Sequence, residues 1–199
     1  MASSEASSGP SALPCLTRRE LLLLLGLGAT DRVSAQSHSE TLAKHLRGGR
    51  CAVLWRHGQT SPGVGDPPGF QLGDCKSQRN LSAEGRAQAQ AAGAWFKTRS
   101  LRPSAVRSSA WCRCRDTADL AFGTHSHWAS LDSSFGGDAD GAARRRTMLD
   151  ALRGIPAEAF EVWITHQVNI TAFTGESVAM GEAVLVDRQG QLLGRIGFA

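Results

Sequence analysis

No apolar run in this 199-residue chain is long enough to cross a bilayer. The most apolar stretch, Leu21 to Ala29, covers about nine residues, against about 20 for a spanning helix. Zinc-site spacing is missing too: Cys112 and Cys114 are separated by a single residue, and no paired Cys or His motif answers them. The cationic cluster of Arg56, His57, Arg113 and His166 includes no carboxylates with ligand spacing, so no metal and no cofactor is expected. No basic run exists beyond Arg144-Arg145-Arg146, and that triplet falls in a helical stretch as a solvated face. Nucleic acid is therefore not an expected partner. No repeat is visible at a period of 20–50 residues.

What is present describes an ordinary folded chain. The hydrophobic fraction is 41% and the charged fraction 20%, enough for one domain with a core and hardly for two. The first 35 residues read as an export signal. Arg18-Arg19 precede the short apolar stretch, and Val33-Ser34-Ala35 offers small residues to a signal peptidase. Paired arginines before a mildly apolar core resemble a twin-arginine signal. The expectation is cleavage after Ala35 by way of the twin-arginine export machinery, a periplasmic location, and no stable membrane anchor afterwards. Removing 1–35 takes away Arg18, Arg19 and Arg32 with Glu5, Glu20 and Asp31, so the net charge of +4 is unchanged. That modest excess suits an anionic substrate. In an oxidising compartment one disulfide is expected, Cys75 with either Cys112 or Cys114.

From 36 onward the pattern alternates. Gln36 to Arg50 suggests a short leading helix. Cys51-Ala52-Val53-Leu54-Trp55 is a continuous apolar run, as in a strand buried on both faces. Residues 61–80 are rich in Gly, Pro and Asp, and irregular loops of that length are often lids or binding loops. Ser82 is a helix N-cap, and 83–99 reads as a helix with Ala87, Ala91, Ala94 and Trp95 on one face. Strands are expected at 105–107 and 161–165, helices at 113–122 and 141–153. A closing hairpin is expected from 184–187 and 192–196. Strands alternating with helices imply an α/β fold, a three-layer sandwich with a mostly parallel central sheet flanked by helices.

In such folds ligands bind beyond the carboxyl ends of the strands. Arg56-His57 follows the first strand, Ser108-Ser109 with Arg113 follows the second, and His166 follows the third. Two histidines and two arginines thus reach one sheet edge from positions spread over 110 residues of sequence. That set suits phosphoryl transfer. Guanidinium forks match phosphate oxygens. An imidazole can carry a phosphoryl group covalently. Neighbouring cations keep it neutral and nucleophilic, and a second imidazole can donate to oxygens gaining charge in the transition state.

Leu54-Trp55-Arg56-His57-Gly58-Gln59-Thr60 closely resembles the Arg-His-Gly signature of the histidine phosphatase (phosphoglycerate mutase-like) superfamily. Ser108-Ser109-Ala110-Trp111-Cys112-Arg113-Cys114-Arg115-Asp116-Thr117-Ala118 resembles its second block. Thr165-His166 matches its strand-end histidine, and Asn80 to Arg86 the start of its first long helix. The resemblance spans about 50–197, in order. It implies that His57 is phosphorylated, that Arg56, Arg113 and His166 hold the phosphate, and that no metal is needed. Gln59 and Thr60 are candidate phosphate contacts through their backbone N–H groups, and Cys75 and Arg79 are candidates to line the pocket.

The chain departs from the family at the proton donor. Leu131-Asp132-Ser133-Ser134-Phe135 lacks the glutamate that many members carry there, and Gln167 replaces the aspartate that others place after the second histidine. An amide cannot give up a proton. Asp132 is the first candidate acid, followed by Asp138 and His125. The expected function is phosphomonoester hydrolysis. The alternatives are a weakly active phosphate-binding protein of the same fold and a phosphomutase.

Overall fold

The computed structural model describes residues 39–134 and 141–198. The expected export signal and the candidate acid Asp138 lie outside the described residues. The apolar run of the first strand can be satisfied only where both its faces are covered. It forms β1, Cys51–Arg56, and its side chains divide by parity. Cys51, Val53 and Trp55 enter one core, and Ala52 and Leu54 enter the other.

The remaining strands are β2, Ala105–Ser108, the short β3, Ser126–His127, β4, Phe160–Thr165, β5, Glu182–Asp187, and β6, Leu192–Gly197. They make one six-stranded sheet in the order β3-β2-β4-β1-β5-β6. From β3 to β1 every pairing is parallel, with Val53 opposite Val162 and Val106 opposite Val162 from the other side. The closing hairpin then adds β5 and β6 antiparallel. The sheet is therefore mixed, parallel from the β3 edge to β1 and antiparallel at the other edge. The Asp187 carboxylate accepts from the N–H groups of Gln189 and Gln191 and fixes the hairpin turn.

Helices cover both faces. A helix over 39–48, α1, contributes Leu42, Ala43 and Leu46 to the first core, together with α2, Ala83–Thr98, and α3, Cys112–Phe122. Phe96 is the centre of an aromatic cluster there, within 6.1 Å of the rings of Trp95, Phe122, Phe160 and Phe198. The second core takes Met148 and Leu152 from α4, Gly141–Gly154, and Ile170 and Phe173 from α5, Gln167–Thr174. This is the expected three-layer α/β arrangement.

Some local expectations need correction. The buried face of α2 is Gly85, Ala89, Ala92 and Phe96, whereas Ala87, Ala91 and Ala94 are exposed. Alanine occurs on every side of this helix, so its spacing carries no phase, and Phe96 decides the orientation. The short α5 was not anticipated. Arg107 pairs with Glu161 through two bonds of 2.7 and 3.1 Å. The disulfide joins Cys75 to Cys112, and Cys51 and Cys114 are buried free thiols. Among the described residues no helix is long and apolar enough to cross a membrane.

Candidate active site

The parallel strands end together, and their last ladder bonds carry the sheet geometry into the loops that follow. The His57 N–H donates to Thr165 O at 3.1 Å, and the Ser109 N–H to Ile164 O at 3.0 Å. The turn after β1 is then clamped by helices on one side. Gly58 donates to Thr117 Oγ1 of α3 and Gln59 to Gln88 Oε1 of α2. The start of α2 lies so close that a Cβ on Gly85 would stand 1.9 Å from Gln59 O. A side chain there cannot fit without moving the turn after β1.

These constraints bring His57 and His166 together, with ring centroids 5.4 Å apart. Each is only 4% exposed. His57 Nδ1 lies 2.9 Å from Gly58 O. A carbonyl oxygen can only accept, so Nδ1 carries the proton and Nε2 presents a lone pair. Burial pushes the His57 pKa down to about 3; the Gly58 bond opposes this, and Arg113, Arg56 and Arg79 add to the lowering. His166 is also held well below its ordinary value, first by burial and then by His57, Arg113 and Arg56. Its Nε2 is 2.8 Å from Ser109 Oγ. The neighbouring Cys114 thiol is pushed up to about 12, chiefly by burial, so it is a neutral packing group rather than a nucleophile.

Three arginines line the same cleft of about 580 Å³ as the two histidines. Each is tethered through Nη1: Arg56 to Val178 O at 2.8 Å, Arg113 to Asp66 Oδ1 at 2.8 Å, and Arg79 to Gly63 O. In all three the Nε is buried without a hydrogen-bond partner among the described residues. Buried N–H donors left open in this way are costly unless something accepts from them. Arg56 and Arg79 are both lowered from their ordinary values by burial first, then by a neighbouring arginine. Guanidinium groups remain charged despite such shifts. The cleft therefore concentrates positive charge around two neutral imidazoles.

The remaining expected residues fall differently. Gln59 and Thr60 spend their groups on the turn: Gln59 O accepts from Ser82, and the buried Thr60 hydroxyl reaches Met180 Sδ at 3.6 Å. Neither lines the cleft. Cys75 is tied up in the disulfide. The Asp132 carboxylate also stays outside the lining. It accepts from the Ala110 N–H at 2.7 Å and lies 3.1 Å from His127 Nε2. His125 pairs with Asp119. Asn169 braces the segment before Ser133 by donating to Leu131 O and Asp132 O. Among the described residues, no group of three or more His, Cys, Asp or Glu gathers as a metal site.

Two residues, Asp66 in the cleft and Gln78 behind its loop, carry no readable signal in the sequence. Asp66 was submerged in Gly65-Asp66-Pro67-Pro68, a string of turn formers. Its side chain is 6% exposed, and it receives bonds from Arg113, from Trp111 Nε1 at 2.9 Å and from the Arg79 N–H at 2.9 Å. Gln78, also buried, donates to Gln71 O and Leu72 O and accepts from the Cys112 N–H. It ties the long loop to the start of the helix that carries Arg113.

Residues 52–180 match the family model described as histidine phosphatase superfamily (branch 1). Solved structures resemble the chain in fold at low identity. A protein histidine phosphatase SixA complexed with tungstate aligns at TM-score 0.55 and 14% identity, over 74% of this chain and 97% of that one. A candidate phosphohistidine phosphatase SixA from Agrobacterium tumefaciens aligns at TM-score 0.52 and 17% identity, with coverages of 74% and 97%. A structure described as mycobacterial hydrolase 2 aligns at 0.51 and 20%, with coverages of 69% and 81%. No curated protein matches the chain in sequence.

Proposed function

From the premise that this chain belongs to the histidine phosphatase superfamily, branch 1, we propose that it hydrolyses phosphomonoesters through a phosphohistidine on His57. The observation that carries this reading is the set of three tethered guanidinium groups lining one cleft with a buried imidazole whose Nδ1 is held by Gly58 O. An oxyanion with several acceptor oxygens suits such a set of cations.

In the proposed sequence, Arg56, Arg113 and Arg79 take the phosphoryl oxygens and hold phosphorus in line with His57 Nε2. Attack forms the N–P bond as the ester P–O bond breaks. The proton on Nδ1 stays bound to Gly58 O and keeps the ring oriented while it gains charge. His166, oriented by Ser109, donates to an equatorial oxygen in the transition state. Water then attacks the phosphohistidine and releases inorganic phosphate. Positive charge comes from guanidinium groups, so the reaction is proposed to run without a metal. Activity that survives exhaustive chelation and is inhibited by vanadate or tungstate is the expected result. Activity lost to chelation and restored by zinc or magnesium would overturn metal independence.

Turnover of an activated aryl phosphate separates this reading from a phosphate-binding protein without activity, and a demand for a bisphosphate primer would instead identify a mutase. Export is proposed on the paired arginines and Val33-Ser34-Ala35, and the Cys75–Cys112 disulfide suits an oxidising compartment. The mature N-terminus should begin near Gln36 in the cell envelope. An intact Met1 chain in the cytoplasm, indifferent to Arg18→Lys with Arg19→Lys, would contradict it.

A further inference from the structure

Asp66 is out of place in a pocket built for an anion. Among the described residues it is the one carboxylate that lines the cleft, and it occupies Nη1 of Arg113, an arginine assigned to the phosphate. Three donors from different parts of the chain converge on it: the Arg113 guanidinium, the Trp111 indole and the Arg79 N–H. Such an arrangement favours the charged form. With both histidines neutral, three guanidinium charges and one carboxylate leave the cleft with an excess of two positive charges. A phosphate ester dianion cancels that excess, but it also stands beside a second anion on the same arginine. Two anions on one arginine repel each other, which favours a shared proton on one of them.

We propose that Asp66 is the proton donor of the reaction and shares a single proton with the bound phosphate ester. This rests on the phosphatase reading above. The ester enters as its monoanion, and its proton passes to Asp66 as the phosphoryl oxygens take the guanidinium donors. His57 Nε2 then forms the bond to phosphorus while the P–O bond to the leaving group breaks, and the leaving oxygen takes the proton from Asp66. In the second half, water attacks the phosphohistidine and gives its proton back to the Asp66 carboxylate. The N–P bond breaks, its electron pair returns to Nε2, and phosphate leaves with the proton. The sum is ester monoanion and water giving alcohol and phosphate monoanion.

The charged and titratable groups around Asp66 are Arg113 at the start of α3, Arg79 in its own loop, and, along the same cleft, Arg56 and His57 at the end of β1 and His166 at the end of β4, with the buried Cys114 thiol of α3 behind them. Burial raises the Asp66 carboxyl, but the Arg79 N–H, the Arg113 charge and the bonds from Arg113 and Trp111 outweigh it and hold it below the usual range. Asp66 is therefore ionised in the free protein, and the proton must come with the substrate. A phosphate ester loses its second proton near pH 6. Above about that pH, kcat/KM for an alkyl phosphate should fall tenfold per unit.

The test compares wild type, Asp66→Asn and Asp132→Asn on an alkyl phosphate and on p-nitrophenyl phosphate, whose leaving group needs little protonation. Asp66→Asn is expected to slow the alkyl ester by about 10²–10⁴-fold and the aryl ester by less than about tenfold. It should also flatten the alkaline limb. Equal losses on both esters in a folded Asp66→Asn protein would make Asp66 a positioning residue and overturn the proposal, as would the split appearing in Asp132→Asn instead. Should Asp66→Asn not fold, the wild-type profile decides: an alkyl rate independent of pH from about 5 to 8 overturns the shared proton, and a falling one supports it. Phosphohistidine trapped from p-nitrophenyl phosphate in the wild type reports separately on the phosphatase reading. Its absence would remove that reading, and this proposal with it.

Discussion

The two halves of the cleft are built by different means. His57, Arg56 and His166 stand at strand ends, where sheet ladder bonds run into the turn after β1 and buried side chains surround it. Asp66, Phe70 and Arg79 stand on an irregular loop held by few points: Gln78, the Cys75–Cys112 disulfide and Asp66 itself. The first half is preorganised by the fold as a whole, as a site for a single chemical step requires. The second can vary without disturbing the core, which is how loops on a rigid frame come to select substrates. Arg113 joins the halves, since it begins α3 and grips the loop through Asp66.

That division can be broken or sharpened by substitution. Arg113→Ala removes a proposed phosphate donor and strands the Asp66 carboxylate. It should lower kcat/KM on aryl phosphate by about 10²–10³-fold; a loss below about tenfold would place the phosphate elsewhere. Removing the disulfide with Cys75→Ser and Cys112→Ser frees a loop with a sequence separation of 37. Chain entropy puts the cost at about 4 kcal/mol, read by denaturant unfolding, with KM rising more than kcat falls. An unchanged KM in protein kept folded at low temperature would mean that the loop does not shape the site. Arg79→Ala, on the loop half alone, should raise KM about tenfold and leave kcat within about threefold. A collapse of kcat would move Arg79 to the chemical half.

Acid sharpens the comparison from the side of stability. His57 and His166 have folded-state pKa values below the unfolded value of about 6.5. Between about pH 6.5 and the folded value the unfolded chain binds more protons, so stability falls as pH falls. Each histidine should add a slope of about 1.4 kcal/mol per pH unit. His57→Ala should reduce that slope by about one such increment. An unaltered slope would mean that His57 titrates as an ordinary exposed histidine.

The same division explains what could be read from the sequence. Strands buried on both faces give continuous apolar runs, and those runs stop where the backbone meets the cleft, so Arg56, His57 and His166 announce themselves by position. Arg113 follows because Ser108-Ser109 marks the next strand end. The loop has no period, and Asp66 is one turn former among many, so no pattern separates it from Asp74. Its role arises from Trp111 and Arg113, more than forty residues away. Asp132 was attractive by position alone, yet its carboxylate is spent on the Ala110 N–H and His127. Alanine on every side of α2 likewise concealed which face packs, until Phe96 settled it.

The central claim is that His57 Nε2, a free lone pair in a cationic pocket, takes the phosphoryl group. Rapid mixing of the full chain with p-nitrophenyl phosphate, quenched in alkaline denaturant and mapped by mass, tests it directly. The account predicts one added phosphoryl group on His57 within the first turnover, a burst of nitrophenol of equal size, and neither signal in His57→Ala. Label on any other residue, or full turnover by His57→Ala, would contradict it.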